Sequence, residues 1–433
     1  MKNSGVEWIG EIPDEWNVKP VKRYFSHIKR IVGDDVDKYE RLSLTMQGVL
    51  KRSKDDAEGL QPEKFNGYQI LKQNELVFKL IDLENVNTSR VGISPFNGLV
   101  SPAYIILTNN KKDNTFYYYW FLNMYYQEIF NKLGDGGVRS ALNASDVLSL
   151  PMVYLNNENQ QRIATYLDKK CSKIEKTIQN QQQVIEKLKA YKQSLITEAV
   201  TGKIKIQNGK VCGKYENYKD SGVEYLGKIP SNWNAKRLRY IGKCQNGISK
   251  GGEFFGSGYP FVSYGDVYNN LTLPETVSGL IESTPEEQEN YSVMAGDIFF
   301  TRTSETIEEV GFTSVCLKTI EKATFAGFVI RVRPFTEELV PDYSKYYFSS
   351  DAHRRFFVKE MNLVTRASLS QDLLKRLPIL IPSKEKQKEI ADYLDKKCTA
   401  IDTAIEQKQK LIEKITEYKK SLIYECVTGK KEI

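Results

Sequence analysis

Histidine is nearly absent from this chain, since only His27 and His353 occur among its 433 residues. The six cysteines stand singly, and none forms the Cys-x-x-Cys pair that is typical of zinc and redox sites. No run reaches the ~18 apolar residues that a membrane-spanning helix needs, and the first ten residues lack the apolar core of a signal peptide. We therefore expect a reduced, cytoplasmic protein with no zinc site and no membrane segment.

Signatures of catalysis are missing as well. The sequence contains no Gly-x-x-x-x-Gly-Lys-Ser/Thr phosphate loop, no His-Glu-x-x-His pair and no Asn/Asp-Pro-Pro-Tyr tetrapeptide that could hold a flipped base. Residues 254–258 read FFGSG, which matches a motif of S-adenosylmethionine-dependent methyltransferases. This string precedes a predicted strand instead of opening a helix, so we interpret it as a chance match. We expect no catalytic residue, no metal site and no cofactor.

The composition is that of a folded protein with a mildly basic surface. Apolar residues make up 40% of the chain and charged residues 27%, with a formal net charge of +7. This positive excess is compatible with nucleic-acid binding, although such an excess alone more often describes a solvated surface. The length allows two to four domains.

The chain is internally duplicated. Residues 3–16 read NSGVEWIGEIPDEW and residues 220–233 read DSGVEYLGKIPSNW, with eight of fourteen positions identical. A second block spans residues 150–203 and recurs at residues 377–430, with YLDKKC unchanged. The register shifts are 220 − 3 = 217 and 377 − 150 = 227, so the region between the blocks is ten residues longer in the second half. Similar blocks around divergent regions predict a pseudo-twofold object; a tandem duplication without functional symmetry is the alternative.

Each half ends in a long predicted helix. Residues 157–200 contain neither proline nor glycine, and about 40 helical residues extend ~60 Å. Their apolar side chains recur at alternating intervals of four and three residues, as in a heptad repeat. Because a globular region lies between the two helices, they can pair antiparallel and bury each other's stripes; ordinary bundle helices are the alternative. The two stripes are Leu167, Cys171, Ile174, Ile178, Gln181, Ile185, Leu188, Lys192, Leu195 and Ala199, and Leu394, Cys398, Ile401, Ile405, Lys408, Ile412, Ile415, Lys419, Leu422 and Cys426.

Polar residues interrupt both stripes at equivalent positions. Gln181 corresponds to Lys408, and Lys192 corresponds to Lys419. Polar side chains at such positions can specify the register of paired helices. We expect these residues to set the register or to contact a partner.

The regions between the opening motif and the helix are predicted to be globular heads. Short β-type runs such as NELVFKL and AGDIFFTRT are followed by helical stretches, which favours α/β heads with a twisted, mostly antiparallel sheet. The fold class is therefore α+β, with two heads separated by two long antiparallel coiled-coil helices. The predicted domains are a first head at 1–150, a central helix at 151–203, a linker at 204–219, a second head at 220–377 and a C-terminal helix at 378–433.

Both heads close on a similar element. It reads GGVRSALNASDVLSLP at residues 136–151 and NLVTRASLSQDLLKRLP at residues 362–378. An arginine beside small hydroxyl residues suits contact with phosphate or base. A surface turn capped by serine and aspartate is an alternative of similar weight.

These blocks resemble the specificity subunits of type I restriction-modification enzymes. The motif SGVEWIGEIPDEW and the string LPMVYLNNENQQRIATYLDKKC, each with its copy, look like the conserved regions of that family, in the same order. The strings GYPFVSYGDV, AGDIFFTRT and GLVSPAYIIL are also similar to its target-recognition domains. The resemblance covers essentially the whole chain. One departure lies at residues 150–160, where the family's PLPPLxEQ pattern is degraded to LPMVYLNNENQ.

The resemblance implies a non-catalytic, sequence-specific subunit that binds double-stranded DNA. Each head would be a target-recognition domain that reads one half of a bipartite, asymmetric target, while the paired helices hold the spacing. Two modification subunits would dock on the helices and methylate adenine. Two restriction subunits, whose presence the sequence leaves open, would add ATP-dependent cleavage. The target sequence and its spacer length are not predicted.

Base readout in the major groove needs arginine, lysine, asparagine, glutamine or hydroxyl side chains. We expect such side chains where β-type runs end in each head. The candidates are Lys79, Arg90, Ser101, Tyr104, Arg139 and Ser140 in the first head, and Lys250, Tyr264, Arg302, Ser304, Arg366 and Ser368 in the second.

Two other classes of function stay open on the sequence alone. A fused restriction-methylation enzyme would bind S-adenosylmethionine as an isolated chain. A coiled-coil scaffold that does not read DNA would bind it in a salt-dependent but sequence-blind way.

Overall fold

The computed structural model divides the chain into two compact units. Unit 1 comprises Met1–Gln181 together with Gln409–Ile433, and unit 2 comprises Gln182–Lys408. Each unit therefore contains one head and a part of each long helix. The structure describes all residues except 57–63, 82, 84–89, 111–112, 134–140, 305, 307–308 and 361–366.

The helices of the described residues lie mainly after the strands of each head. They are α1 (Thr115–Tyr126), α2 (Ile129–Leu133), α3 (Ala144–Ser149), α4 (Asn157–Val200), α5 (Tyr264–Asn269), α6 (Pro285–Asn290), α7 (Pro341–Phe348), α8 (Asp351–Glu360), α9 (Gln371–Arg376) and α10 (Lys384–Val427).

The strands are short and fall into two series. Those of unit 1 are β1 (Lys2–Asn3), β2 (Glu11–Ile12), β3 (Asn17–Pro20), β4 (Ser26–His27), β5 (Arg41–Thr45), β6 (Gly48–Arg52), β7 (Gln69–Leu71), β8 (Leu76–Lys79), β9 (Arg90–Ile93), β10 (Gly98–Val100), β11 (Ile105–Thr108) and β12 (Pro151–Tyr154). Those of unit 2 are β13 (Ile206–Gln207), β14 (Lys210–Val211), β15 (Tyr218–Asp220), β16 (Lys228–Pro230), β17 (Asn234–Arg237), β18 (Gly242–Asn246), β19 (Phe255–Val262), β20 (Leu280–Ile281), β21 (Ile298–Thr301), β22 (Thr303–Ser304), β23 (Thr313–Val315), β24 (Thr324–Phe325), β25 (Val329–Pro334), β26 (Ala367–Ser368) and β27 (Pro378–Ile381).

The main sheets of the two heads share one topology although their sequences diverge, and the second sheets differ by one strand. The main sheet has the order β4-β11-β8-β9 in the first head and β18-β25-β21-β23 in the second. A second sheet has the order β6-β5-β10-β7 in the first head and β20-β19-β24 in the second. Most neighbours are antiparallel, and each second sheet contains one parallel pair, β5 with β10 or β19 with β24. The predicted α+β class with mostly antiparallel sheets is confirmed.

A central strand in each head is buried on both faces. In β8, Leu76 and Phe78 belong to the core shared with the helices, whereas Val77 packs in the core of the second sheet. In β21, Ile298 and Phe300 face the helices, and Phe299 faces the second sheet. Side chains alternate between the faces of a strand with a period of two. A continuous apolar run therefore places each main sheet between a helical layer and the second sheet.

The two long helices run antiparallel to each other within each unit. In unit 2, Lys192 Nζ of α4 lies 2.7 Å from an oxygen of Asp402 of α10. Beyond the end of α4, the carbonyl of Ile206 in β13 accepts a hydrogen bond of 2.8 Å from Lys386 Nζ, near the start of α10. As the residue number rises from Lys192 to Ile206, the number of the contacting residue falls from Asp402 to Lys386, which defines the antiparallel direction. Helices α4 and α10 each contain 44 residues, and α4 begins at Asn157 as the sequence predicted.

The polar interruptions at Lys192 and Lys419 are cross-helix ion pairs. In unit 1, Lys419 Nζ lies 2.6 Å from Glu175 Oε1; in unit 2, Lys192 makes the equivalent contact with Asp402. The repeat relates the two pairs, because 175 + 227 = 402 and 192 + 227 = 419. A charged pair at one level of an apolar seam disfavours other registers. This geometry supports the predicted role of both lysines in setting the register.

Each opening motif packs on the end of a long helix in its own unit. Gly429 has a φ of +73°, and a Cβ built there would lie 2.4 Å from the Pro13 ring and 3.1 Å from Trp16. Gly202 has a φ of +71°, with the equivalent distances to Pro230 and Trp233 being 2.5 and 3.2 Å. Glycine meets both demands, a left-handed backbone and no side chain. In each unit, the opening motif and the end of a long helix therefore pack against each other, which pairs the two kinds of repeated block.

The predicted linker contains a β-hairpin. Strands β13 and β14 pair across Asn208 and Gly209, whose φ values of 52° and 70° are those of a type I′ turn. The backbone N–H of Asn208 donates to Glu389 Oε1 at 2.7 Å. The hairpin is therefore attached to the first turns of α10.

The described ranges hold no helix that is both long enough and apolar enough to cross a bilayer.

His353 lies in the core of the second head as a neutral imidazole. Its Nε2 donates to the carbonyl of Gly311 at 3.1 Å, while Nδ1 finds no hydrogen-bond partner among the described residues. Its ring packs against Phe357 with a centroid distance of 4.7 Å. Burial lowers the pKa of His353 to about 3.

We expect His353 to make the protein sensitive to mild acid. The folded-state pKa of His353 lies below the unfolded value of about 6.5. The folded state therefore has its full stability above pH 6.5, where the imidazole is neutral in both states, and loses stability as the pH falls toward 3. Linkage predicts a loss of roughly 2 kcal/mol of unfolding free energy between pH 7 and pH 5. Thermal unfolding across this range should show a weaker pH dependence for His353→Phe than for the wild type. His27→Gln serves as the control, and identical pH profiles for wild type and His353→Phe would contradict the prediction.

Candidate nucleic-acid interface

Three of the predicted residues of the first head lie in one row at the end of its main sheet. Lys79 is the register partner of Arg90, and Phe78 is the partner of Ile105. Tyr104 immediately precedes Ile105, so it flanks Lys79 on the opposite side from Arg90. All three side chains are half-buried. The sequence placed them on separate β-type runs, and the sheet brings them together.

Two residues near Tyr104, namely Tyr68 and Arg41, were not predicted from the sequence. Burial raises the pKa of Tyr104, Tyr68 raises it further, and the positive charges of Arg41 and Arg90 oppose this shift. The Arg41 guanidinium lies 5.6 Å from the centre of the Phe65 ring and is buried. An arginine at the first position of an apolar strand was the signal that could have identified Arg41.

Ser101 shapes the turn that precedes Tyr104. Its carbonyl accepts a hydrogen bond from the Tyr104 N–H at 3.1 Å and another from Gln69 Nε2 at 3.0 Å. Its hydroxyl accepts a bond from the N–H of Ala103 at 3.3 Å. The structure thus gives Ser101 a role in holding Tyr104, and its predicted contact with DNA stays a prediction.

Four of the six predicted residues of the second head lie together at one edge, around β22 and β26. Strand β22 pairs with β26 so that Thr303 lies opposite Ser368. Tyr264 donates its hydroxyl hydrogen to the carbonyl of Thr303 at 3.0 Å, and Ser304 Oγ donates to Glu309 Oε2 at 2.7 Å. These contacts place Tyr264 and Ser368 beside the short strand β22, which contains Ser304.

Arg302 lies in the middle of this edge. Its N–H donates to the carbonyl of Phe328 at 2.9 Å, and its own carbonyl accepts from the N–H of Leu369 at 2.7 Å. In the ranges that the structure describes, its half-buried side chain makes no hydrogen bond and no ion pair. An arginine that is held by its backbone and has a guanidinium without a partner can donate to phosphate or to a guanine edge.

The charge of Lys250 is already matched within the second head. Its Nζ lies 2.7 Å from Glu287 Oε2 and 2.8 Å from the carbonyl of Glu282. The bond from Lys250 holds the pKa of Glu287 below its ordinary value. Contact with DNA would require this ion pair to break, and the assignment stays a prediction.

The remaining candidates, Arg139, Ser140 and Arg366, lie outside the described residues. Their predicted contacts with DNA stay predictions.

The chemistry of both edges is that of hydrogen-bond donation. Arginine, lysine, tyrosine and serine side chains predominate, and these types supply most contacts to phosphates and base edges. No group of three or more histidine, cysteine, aspartate or glutamate side chains in the described part of the chain could hold a metal ion.

Comparison with known proteins identifies the class of this architecture. A family model described as the type I restriction modification DNA specificity domain matches residues 230–417, which contain most of the second head and much of α10. The EcoKI specificity subunit of Escherichia coli (strain K12), a type I restriction enzyme subunit, is 22% identical over 316 residues. That match covers 71% of this chain and 63% of the relative, less than two thirds of its length.

Two solved structures share the fold. A chain from a type I R-M system, solved to describe complex assembly and conformational transition, has a TM-score of 0.71 at 13% identity, covering 97% of this chain and 100% of its own. The HsdS subunit from Thermoanaerobacter tengcongensis has a TM-score of 0.50 at 13% identity, covering 97% of this chain and 98% of its own. The predicted resemblance to the specificity subunits of type I restriction-modification systems is confirmed.

Replacing Arg302 tests the second edge. We expect Arg302→Ala to weaken binding of the full chain to its target by ~1–3 kcal/mol and to relax one position of one half-site, because a base-reading guanidinium would be lost. Titration of labelled duplexes with single base changes measures both effects. Lys318→Ala is the control, since it removes an exposed cation of the same head that pairs with Glu275. Unchanged affinity, or a uniform loss with a smaller salt dependence, would rule out base reading by Arg302.

Proposed function

We propose that this chain is the sequence-specific DNA-binding subunit of a type I restriction-modification system, and that each head reads one half of a bipartite, asymmetric target. The observation that carries this proposal is one topology presenting two different sets of donors. The two heads share a framework with a similar sheet edge, and the different side chains on this edge suit two different half-sites.

The register of the two main sheets makes the difference explicit. Phe78 of β8 lies between Val91 and Ile105, and Phe300 of β21 lies between Thr313 and Ile330. Counted from these anchors, Lys79, Arg90 and Tyr104 correspond to Thr301, Phe312 and Val329. None of the three donors of the first row is repeated in the second head, which supports different half-sites.

The chemical steps would belong to partner subunits. The sequence lacks the motifs for ATP hydrolysis and for adenine methylation. We therefore assign methylation to modification subunits and ATP-dependent cleavage to restriction subunits where the system contains them. Access to the cell's DNA is consistent with the cytoplasmic location that the sequence predicted.

A duplicated apolar surface on the long helices is the candidate docking site for the modification subunits. Val184 and Tyr191 in unit 2 are 36 and 56% exposed, and Leu411 and Tyr418 in unit 1 are 42 and 55% exposed. The repeat relates them, because 184 + 227 = 411 and 191 + 227 = 418. Positions seven apart share one face of a helix. Two equivalent exposed pairs support two copies of the same partner, one on each unit.

Removal of the two tyrosines should reduce the number of bound modification subunits. We expect Tyr191→Ala to lower the complex from two modification subunits to one, and Tyr191→Ala with Tyr418→Ala to prevent assembly, since an exposed aromatic anchor contributes on the order of 2 kcal/mol to an interface. Native mass spectrometry of the co-expressed subunits gives the stoichiometry. Tyr240→Ala, at a tyrosine 68% exposed outside the long helices, is the control. A double variant that still holds two modification subunits would contradict this docking site.

Exchange of one head tests the division of the target. We expect replacement of residues 220–377 by the equivalent head of a relative to change one half of the methylated motif and leave the other half intact. Methylation-sensitive sequencing of DNA from cells that express the chain with its modification subunit reads the motif directly. Exchange of residues 1–150 is the matched control and should change the other half. A continuous motif, or a change in both halves after one exchange, would overturn the proposed function.

A further inference from the structure

An exposed phenylalanine stands on the contact edge of the second head. Phe328 is 66% exposed and immediately precedes β25. Its carbonyl accepts the hydrogen bond from the N–H of Arg302, so the two residues are neighbours across the sheet. An exposed ring beside a candidate interface is available to pack against an apolar group of a base.

The turn that presents Phe328 is held on both sides. The N–H of Val329 donates to the carbonyl of Ala326 at 3.0 Å, and the N–H of Ile248 donates to the carbonyl of Phe325 at 2.8 Å. A Cβ on Gly327 would lie 2.3 Å from Ser249 Oγ, and one on Gly247 would lie 2.1 Å from the carbonyl oxygen of Phe325. The close approach of these backbones restrains the turn that carries the exposed ring.

The first head has no such ring at the same place. Ile105 and Ile330 are equivalent, because they pair with Phe78 and Phe300 respectively. Two residues earlier in each strand, Ala103 corresponds to Phe328. The position therefore differs in size and apolar area between the heads, as a position that reads the target would.

We propose that Phe328 reads a thymine in the half-site of the second head by packing against its 5-methyl group. The thymine methyl is the apolar group that a base pair presents in the major groove. Arg302 beside it offers the donors for an adjacent base or phosphate, and Ser368 lies on the neighbouring strand. This inference rests on the proposed function, since it assigns a base to one residue of the same edge.

The test replaces thymine by uracil, which removes the methyl group and keeps the base pairing. The full chain, with its modification subunit, is titrated with duplexes that carry uracil at each thymine of this half-site in turn. One methyl group removed from water corresponds to about a fourfold change in affinity. We expect uracil at one position to weaken wild-type binding about fourfold and to leave the binding of Phe328→Ala unchanged.

Two further variants complete the experiment. Phe335→Ala alters a residue that is 62% exposed just beyond the other end of β25, and it should keep the fourfold response to uracil. Phe328→Leu keeps an apolar contact and should retain part of the response. The proposal is overturned if the half-site contains no thymine, if the wild type ignores uracil at every position, or if Phe328→Ala remains as sensitive as the wild type. A wild-type chain that binds DNA without any sequence preference would overturn the proposed function together with the role of Phe328. This outcome differs from the three above, which overturn the role of Phe328 alone.

Discussion

The apolar stripe of each long helix has to be removed from water. In both units it packs with the other long helix and with the head in one core. In unit 1, Leu167 and Cys171 share a core with Leu422 of the other helix and with Trp120 of the head. In unit 2, Leu195 shares a core with Leu394 and Tyr343. The helices are thus parts of the cores of the heads, and their pairing and the folding of each head stabilise each other.

This shared burial explains which parts of the duplicated sequence stayed similar. The opening motif and the helix end meet at Gly202 and Gly429, where a proline and a tryptophan leave no room for a Cβ. The ion pairs of Lys192 and Lys419 depend on partners in the other copy, so each half constrains the other. The side chains at the ends of the central strands differ between the heads.

On the proposed contact edge of the second head, the side chains are less fully engaged than those in the core. Arg302 keeps a guanidinium without a partner in the described structure, and Phe328 keeps a ring in water. By contrast, Arg333 in the same head holds Asp297 with bonds of 2.6 and 2.7 Å. Departures from local consistency are expected where a surface is shaped for a ligand instead of for stability.

The sequence by itself determined the duplication, the bounds of the first long helix, the fold class and the resemblance to type I specificity subunits, because these depend on periodicity and on motifs that are contiguous in the chain. It also predicted candidate donors by residue type, and their contacts with DNA stay predictions. The tertiary structure decided the order of the strands, the row formed by Lys79, Arg90 and Tyr104, and the ion pair that engages Lys250. Arg41 and Phe328 emerged only from the structure, since burial and exposure depend on which distant segments pack together, and a single sequence carries no direct record of those contacts.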